Sequence, residues 1–399
     1  MFELHGKYNT CKIFTDNCDN ETISQVTELL NQASVKNSKI RIMPDTHAGK
    51  GCVIGTTMTL TDKVIPNLVG VDIGCGMYAL KLEETEIDYA KLDEVIRQYV
   101  PSGFNIHERS INCDFEPYLK EIIAPIDINR AMKSIGTLGG GNHFIEVDRG
   151  NDGHLWLVIH TGSRHLGTEV CKHYQDLAYN TIRNNGIKEK IDATIAKLKA
   201  EGKQHEIENT IKIIKMQAGP VPKDLCYVEG ENFDHYIHDM KITQKFAVTN
   251  RKTIAGMIIK HMDLHVIRDF QTIHNYIDMD NMILRKGSVS AELNEELIIP
   301  MNMRDGSLIC IGKGNSDWNY SAPHGAGRIM SRGKAKETVS LTEFEESMKG
   351  IYTTSVTQST IDESPMVYKP MQEIIDNISD TVDIIDIIKP VYNFKASDA

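Results

Sequence analysis

The stretch VGVDIGCG, residues 69–76, puts Asp72 three positions before Cys75, with glycine on both sides of the thiol. A cysteine in that setting can be a small buried hydrophobe, a nucleophile or a metal ligand, and the spacing leaves all three open. Four of the fifteen histidines stand out by context: His143 in GGGNHF, His160 in VIHTGSR, His324 in PHGAGR and His274 in TIHNY. Glycine beside a reactive side chain lets backbone N–H groups approach a ligand closely, which suits phosphate oxygens. Each histidine alone reads most simply as a hydrogen-bonded structural group. Together with Asp72 and Cys75 they form a mixed O, S and N donor set, suited to a borderline divalent ion such as Mn²⁺, Zn²⁺ or Fe²⁺. Mg²⁺ alone would not select cysteine.

Other patterns carry less. His261 and His265 in KHMDLH have the i, i+4 spacing that puts two imidazoles on one helix face, but no glutamate takes the metalloprotease position, so packing is the simpler reading. His238–Asp239 is a dipeptide too short to define a phosphohydrolase. In GRIMSRGKAK, Arg328, Arg332, Lys334 and Lys336 recur at nearly helical spacing, as a solvated helix face or a phosphate-facing one. The chain has neither a Gly-x-x-x-x-Gly-Lys-[Ser/Thr] loop nor a Lys-x-Asp-Gly motif, so a nucleotide would be held, and a nucleotidyl intermediate carried, by other residues.

Positioning these groups falls to three textures of sequence. From about 40 to 82, short β-type runs (IRIMP, VIGTTMTL, MYALKL) alternate with Gly and Asp punctuation. From about 88 to 135, YAKLDEVIRQYV and EPYLKEIIAPIDINRAMKSI show the three-to-four spacing of amphipathic helices. Then come LGGGNHFIEV and HLWLVIHTGSRHLG, each a β-run beside a histidine, followed by a helical tract from about 167 to 217. The charged part of that tract, about 187–217, reads as a protruding helical hairpin turning at Gly202. A helix is expected from about 233 to 266, a β-rich stretch from about 281 to 330, and one more helical pattern in EIIDNISDTVDIIDII. No internal repeat, linker or domain boundary stands out.

With 399 residues, 41% apolar and 25% charged, the chain can bury a large core without staples and reads as a soluble globular protein. It has no apolar run long enough for a bilayer and no signal-peptide pattern, so the expected location is the cytoplasm, with no membrane partner. Eight scattered cysteines without a Cys-x-x-Cys pair read as reduced thiols. A net charge of −11 argues against coating nucleic acid non-specifically, but not against a local basic site.

Taken in order, MPDTHAGKGCVIG, VGVDIGCGM, LGGGNHFIEV, VIHTGSRHLG, IHNY, RKGSVSA, SAPHGAGRIMSR, DESPMVYK and the terminal PVYNFK resemble the RtcB RNA ligases over nearly the whole chain. The resemblance implies one compact α+β domain spanning 1–399, with β-structure around a central metal cleft and peripheral helices. It implies two Mn²⁺ ions on Asp72, Cys75, His143, His160 and His274, with Cys75 touching both, and His324 as the guanylated nucleophile. The GTP pocket would use Asn142, Phe144, Glu146, Asn275, Pro300, Met303, Ser307, Gly325, Ala326, Gly327 and Lys395. RNA contacts would come from Asp45, His47, Arg164 and Arg328.

The activity so implied joins an RNA 3′-phosphate or 2′,3′-cyclic phosphate to a 5′-hydroxyl, in RNA repair or tRNA splicing. The partners are then RNA ends and GTP, with room for an accessory activating protein and for a monomer or weak homodimer. Where the family usually has Pro-Gly-Ser-Met-Gly, this chain reads Pro300-Met301-Asn302-Met303-Arg304, which bears on the shape of the nucleotide pocket. GKGNSDWNYSAP before His324 and His165 in SRHLG also depart from the usual pattern and suggest a divergent branch. Two other functions stay in view: a metal-dependent RNA phosphodiesterase or cyclic-phosphate hydrolase, and a non-catalytic RNA-binding protein.

Overall fold

The β-type runs IRIMP, VIGTTMTL and MYALKL become the strands Ile40–His47, Ile54–Thr59 and Gly76–Leu82, which are divided between two sheets. The computed structural model describes residues 1–112, 114–217 and 221–396, without the side chains of 183–190 and 213–217. Cys113 lies outside the described residues.

The six-stranded sheet runs Phe2–His5, Thr10–Ile13, Ile40–His47, Ile54–Thr59, Ile283–Lys286, Asn275–Asp278. The eight-stranded sheet runs Val266–Ile273, Gly76–Leu82, Leu155–Thr161, Phe144–Arg149, Val382–Lys395, Gly306–Gly312, Glu296–Asn302, with Tyr352–Thr353 beside the long last strand. His274 is the single residue between Val266–Ile273 in one sheet and Asn275–Asp278 in the other. Metal-type residues therefore gather where the two sheets meet. Mixed sheets with helices packed around them bear out the α+β class.

Two helices matter most for the site. Glu231–Met262 buries Met240, Phe246, Ala247, Ile254 and Ile258 along one face, and among these apolar residues sit fully buried Asn250 and Arg251. Asn250 Oδ1 accepts the Gly136 and Thr137 N–H groups, while its Nδ2 donates to the Thr137 and Gly162 carbonyls. Arg251 donates to the Gly74 and Thr161 carbonyls, both at 2.8 Å. One helix thus ties down the loops on either side of the metal residues. The second helix, Arg164–Ala200, starts just after His160 and is followed by Ile207–Gln217, with Gly202 in the connection.

Several local expectations are corrected. The tail pattern EIIDNISDTVDIIDII is helical only over Met371–Ile378; its β-branched second half enters the strand Val382–Lys395, pairing with Gly306–Gly312. The segment 116–135 is two short helices, Glu116–Lys120 and Ile128–Ser134, because buried Asp239 takes the N–H groups of Ile123 and Ala124 just before Pro125. Asp239 is therefore structural. The long helix ends at Met262, with Asp263 at φ 56°, so His265 lies off the helix that carries His261. His261 stacks on Tyr99 and His265 pairs with Glu84. No helix among the described residues is long and apolar enough to cross a membrane.

Candidate active site

The loop after Val69 is pinned by its backbone: the Cys75 N–H bonds to the Asp72 carbonyl and the Gly74 N–H to the Asn275 carbonyl. A Cβ on Gly76 would lie 2.3 Å from the Thr272 carbonyl oxygen, so only glycine lets the Cys75 strand pass so close to its neighbour. The Cys75 thiol is buried at the centre of the cluster. Its Sγ is 3.3 Å from His160 Nε2 and 3.5 Å from His143 Nε2. His143 Nε2 is 3.0 Å from Asp72 Oδ2, and His160 Nε2 is 3.2 Å from His274 Nε2. Cys75, His160 and His274 form one triad of potential ligands, and Asp72, Cys75 and His143 another. The two share Cys75.

These contacts fit metal ions better than they fit each other. Backbone carbonyls of Leu138 and Asn142 take the Nδ1 protons of His143 and His160, leaving each Nε2 lone pair turned into the cluster. The His160 Nε2 lone pair then faces His274 Nε2 at 3.2 Å. Donors bound to one tetrahedral ion at 2.0–2.3 Å are separated by roughly 3.3–3.8 Å, close to the spacing found. Burial holds His160 and His274 well below the usual imidazole value, so both are neutral and able to donate lone pairs. Burial alone would raise the Asp72 carboxyl, but the contact with His143 Nε2 and the charge of the Arg164 guanidinium outweigh it and keep Asp72 ionised. Burial, and next the Asp72 charge, push the free Cys75 thiol up, so metal binding would release its proton.

A cavity of about 720 Å³ opens on this cluster and reaches from Asp72, Cys75, His160 and His274 to Phe144, Glu146, Asn393 and Lys395. His324 stands in its wall, with its ring 4.8 Å from that of His274. Asp45 Oδ2 is 2.6 Å from His324 Nδ1 and accepts the His324 backbone N–H at 3.2 Å. A carboxylate accepts, so the Nδ1 proton is held by Asp45 and Nε2 is free for chemistry. Gly327 has φ 75°, and a Cβ there would lie 2.1 Å from the Asp45 carbonyl oxygen, so this glycine is what lets the His324 loop close on Asp45.

Of the residues assigned from resemblance, all five metal residues and His324 come together. Asn142, Phe144, Glu146, Asn275, Pro300, Met303, Gly325, Ala326, Gly327 and Lys395 line the cavity. Asn275 also works structurally, donating to the Asp72 carbonyl and accepting the Gly287 N–H. Met301 and Met303 bury their side chains in apolar clusters, Met303 against Phe344, Met348 and Ile361.

At three positions the structure departs from the assignment. Ser307 pairs with Pro300 across the sheet, is fully buried and does not line the cavity. Asp45 is fully buried on His324 rather than exposed to an RNA strand. Arg328 lies at the cavity wall but is bonded to the Glu363 carboxylate and the Asp362 carbonyl. The helix there is only Arg332–Thr338, and Arg332 and Lys336 likewise pair with Asp362 or Glu363, so the basic stripe is largely neutralised. His47 does line the cavity, and burial pulls its imidazole down to about 4. Arg164 instead faces a second cavity of about 320 Å³ with Arg130, His165 and Thr168, which also reaches Asp72.

Missing from the assignments were Asp45 as the partner of His324, Glu363 as the partner of Lys395 at 2.9 Å, Asn393, Arg130 and Arg251. Glu363 lies inside DESPMVYK, Asn393 inside PVYNFK and Asp45 inside MPDTHAGKGCVIG, so those motifs were the available signals; Arg130 and Arg251 have no local mark in the sequence.

Fold and site together define an α+β protein with two groups of potential metal ligands sharing Cys75, beside a carboxylate-held histidine. The family described as "tRNA-splicing ligase RtcB" matches residues 25–126 and 120–396, and the chain belongs to the RtcB family. It is 29% identical over 394 residues to the RNA-splicing ligase RtcB of Escherichia coli, covering 88% of each chain. It is 26% identical over 430 residues to the tRNA-splicing ligase RtcB of Aeropyrum pernix, covering 84% of this chain and 82% of that one. The tRNA-splicing ligase RtcB of Archaeoglobus fulgidus is 23% identical over 449 residues, with 90% and 87% covered.

Proposed function

We propose that this protein is an RNA ligase that joins a 3′-phosphate or 2′,3′-cyclic phosphate end to a 5′-hydroxyl end, consuming GTP through a guanylated His324. The observation that carries this reading is His324 itself: its Nδ1 is held by Asp45, its Nε2 is free, and its ring packs beside the His274 member of the metal cluster. Membership of the RtcB family supports it.

Asp72, Cys75, His143, His160 and His274 would hold Mn²⁺, which when bound offsets the negative charge of phosphate oxygens as a Lewis acid. His324 Nε2 attacks the α-phosphorus of GTP, an N–P bond forms, and the bond to pyrophosphate breaks. The imidazole becomes cationic in that step, and the Asp45 carboxylate against Nδ1 balances the charge without moving a proton. An RNA 3′-phosphate oxygen then attacks the same phosphorus, the N–P bond breaks, and the RNA end carries a guanylate through a pyrophosphate link. A cyclic phosphate must first be opened by water to the 3′-phosphate. Finally the 5′-hydroxyl attacks the activated RNA phosphate, loses its proton and expels GMP. Arg130 and Arg164 in the second cavity supply positive charge next to Asp72 and suit the phosphates of the 5′-hydroxyl strand.

The test is ligation by purified protein with Mn²⁺, GTP, an RNA ending in a 2′,3′-cyclic phosphate and a second RNA with a 5′-hydroxyl. A joined product that depends on GTP is expected. Opening of the cyclic phosphate without joining would contradict the ligase and favour a hydrolase.

A further inference from the structure

The second cavity contains a residue that phosphate contacts leave unused. Phe104 lines it and is 79% exposed, more than any other large apolar side chain among the described residues. A scattered apolar side chain is ordinary on a surface. An aromatic ring at a cavity that also holds two guanidinium groups is a different matter, because single-stranded nucleic acid is held in that way, with cations on the backbone and a ring on a base.

The ring is presented by a tied-down turn. The Gly103 N–H bonds to the Gly139 carbonyl at 3.0 Å, the Asn105 N–H to the Ser102 carbonyl at 3.2 Å, and Ser102 forms a β-bridge to Gly139. The Gly103 carbonyl accepts Arg164 Nη2 at 3.4 Å, and Arg164 Nη1 lies 3.3 Å from the His143 ring. One guanidinium thus spans from the Phe104 turn to a metal residue. The cavity that Phe104, Arg130 and Arg164 share also reaches Asp72, so a strand whose backbone lies on the arginines can bring its end to the metal residues and its base to the ring. At about 320 Å³ the cavity is at the small end of ligand pockets, which suits one nucleoside rather than a folded partner. With a net charge of −11, phosphate contacts alone hold RNA weakly, and stacking adds affinity available to every base.

We propose that Phe104 is a stacking platform for the terminal base of the RNA strand that brings the 5′-hydroxyl, while Arg130 and Arg164 hold that strand's phosphates. The assignment rests on the RNA-ligase reading and adds to it a way of holding the strand without regard to its sequence.

Short RNAs with a 5′-hydroxyl and a fluorophore at the far end, one intact and one lacking only its first base, are titrated against Mn²⁺-loaded wild type, Phe104→Ala and Phe104→Trp. Wild type should bind the intact strand about tenfold more tightly than the abasic one, within the value of one stacked base. Phe104→Ala should bind both strands as weakly as wild type binds the abasic one, and Phe104→Trp should keep the preference. Because the ring is exposed, its removal leaves the core closed, and melting temperature and metal content show that each variant is folded and loaded. A preference that survives Phe104→Ala, or equal binding of the two strands by a wild type that joins RNA ends, overturns the assignment alone. Wild type that neither binds nor joins either strand overturns the RNA-ligase reading, and this assignment with it.

Discussion

Replacing Asp45 by asparagine isolates what the buried carboxylate does for His324. The amide has the same shape and can still accept through Oδ1, so both contacts, 2.6 Å to Nδ1 and 3.2 Å to the backbone N–H, can be retained. Only the charge is lost. That charge matters most when His324 becomes cationic on attacking phosphorus, in a site where Asp45 is fully buried and water cannot screen it. A hydrogen bond to a charged group is worth about 1.5–3 kcal/mol, against about 1 for a neutral one. With each 1.36 kcal/mol equal to a factor of ten, losing the difference of about 0.5–2 kcal/mol should slow nucleotidyl transfer by about 2- to 30-fold. The assay is the single-turnover rate at which α-labelled GTP marks the protein in the presence of Mn²⁺. Metal content and melting temperature are followed in parallel and should not change, because Asp45 is outside both ligand triads. Labelling of Asp45→Asn at the wild-type rate would refute the reasoning, and so would slowing accounted for entirely by lost metal.

Because both triads share Cys75, Cys75→Ala should lose both metal equivalents by elemental analysis, whereas His274→Ala should lose one and keep the Asp72–Cys75–His143 side. Arg251→Met leaves the Gly74 and Thr161 carbonyls without donors in the interior and should cost about 3 kcal/mol in denaturant unfolding. Glu363 is buried, which alone would raise it, but Lys395, Arg332 and Arg328 bring it down to about 2 from an ordinary 4.5. Its folded value is the lower one, so its stabilisation is present above pH 4.5 and is lost as pH falls towards 2. Glu363→Gln should therefore flatten that acid limb in a pH series of unfolding curves, at a cost at neutral pH.

How much could be read beforehand followed how local each signal was. Asp72, Cys75, His143 and His324 sit in glycine-rich turns, and His160 stands at the end of a strand just before one, so each marks itself within a few positions; His274 has no such glycine. Asp45 was marked as part of MPDTHAGKGCVIG, but its pairing with His324 was not. Its partner is 279 positions away, and only the meeting of the two sheets joins them. The same holds for Arg251, which the sequence shows only as one polar residue in an amphipathic helix, and for Ser307, whose burial depends on strands paired on both sides. VDIIDII was ambiguous because a short β-branched run fits either period, and pairing with Gly306–Gly312 decided for strand. Arg328 shows a third limit: a basic residue near a phosphate-binding loop looks free until Asp362 and Glu363, more than thirty positions on, are folded against it.

The most direct measurement incubates wild-type protein with α-labelled GTP and Mn²⁺ and maps the labelled residue. The account predicts an acid-labile, base-stable guanylate on His324, absent from His324→Ala and absent without metal. A label that survives His324→Ala, or no label on wild type, would contradict it.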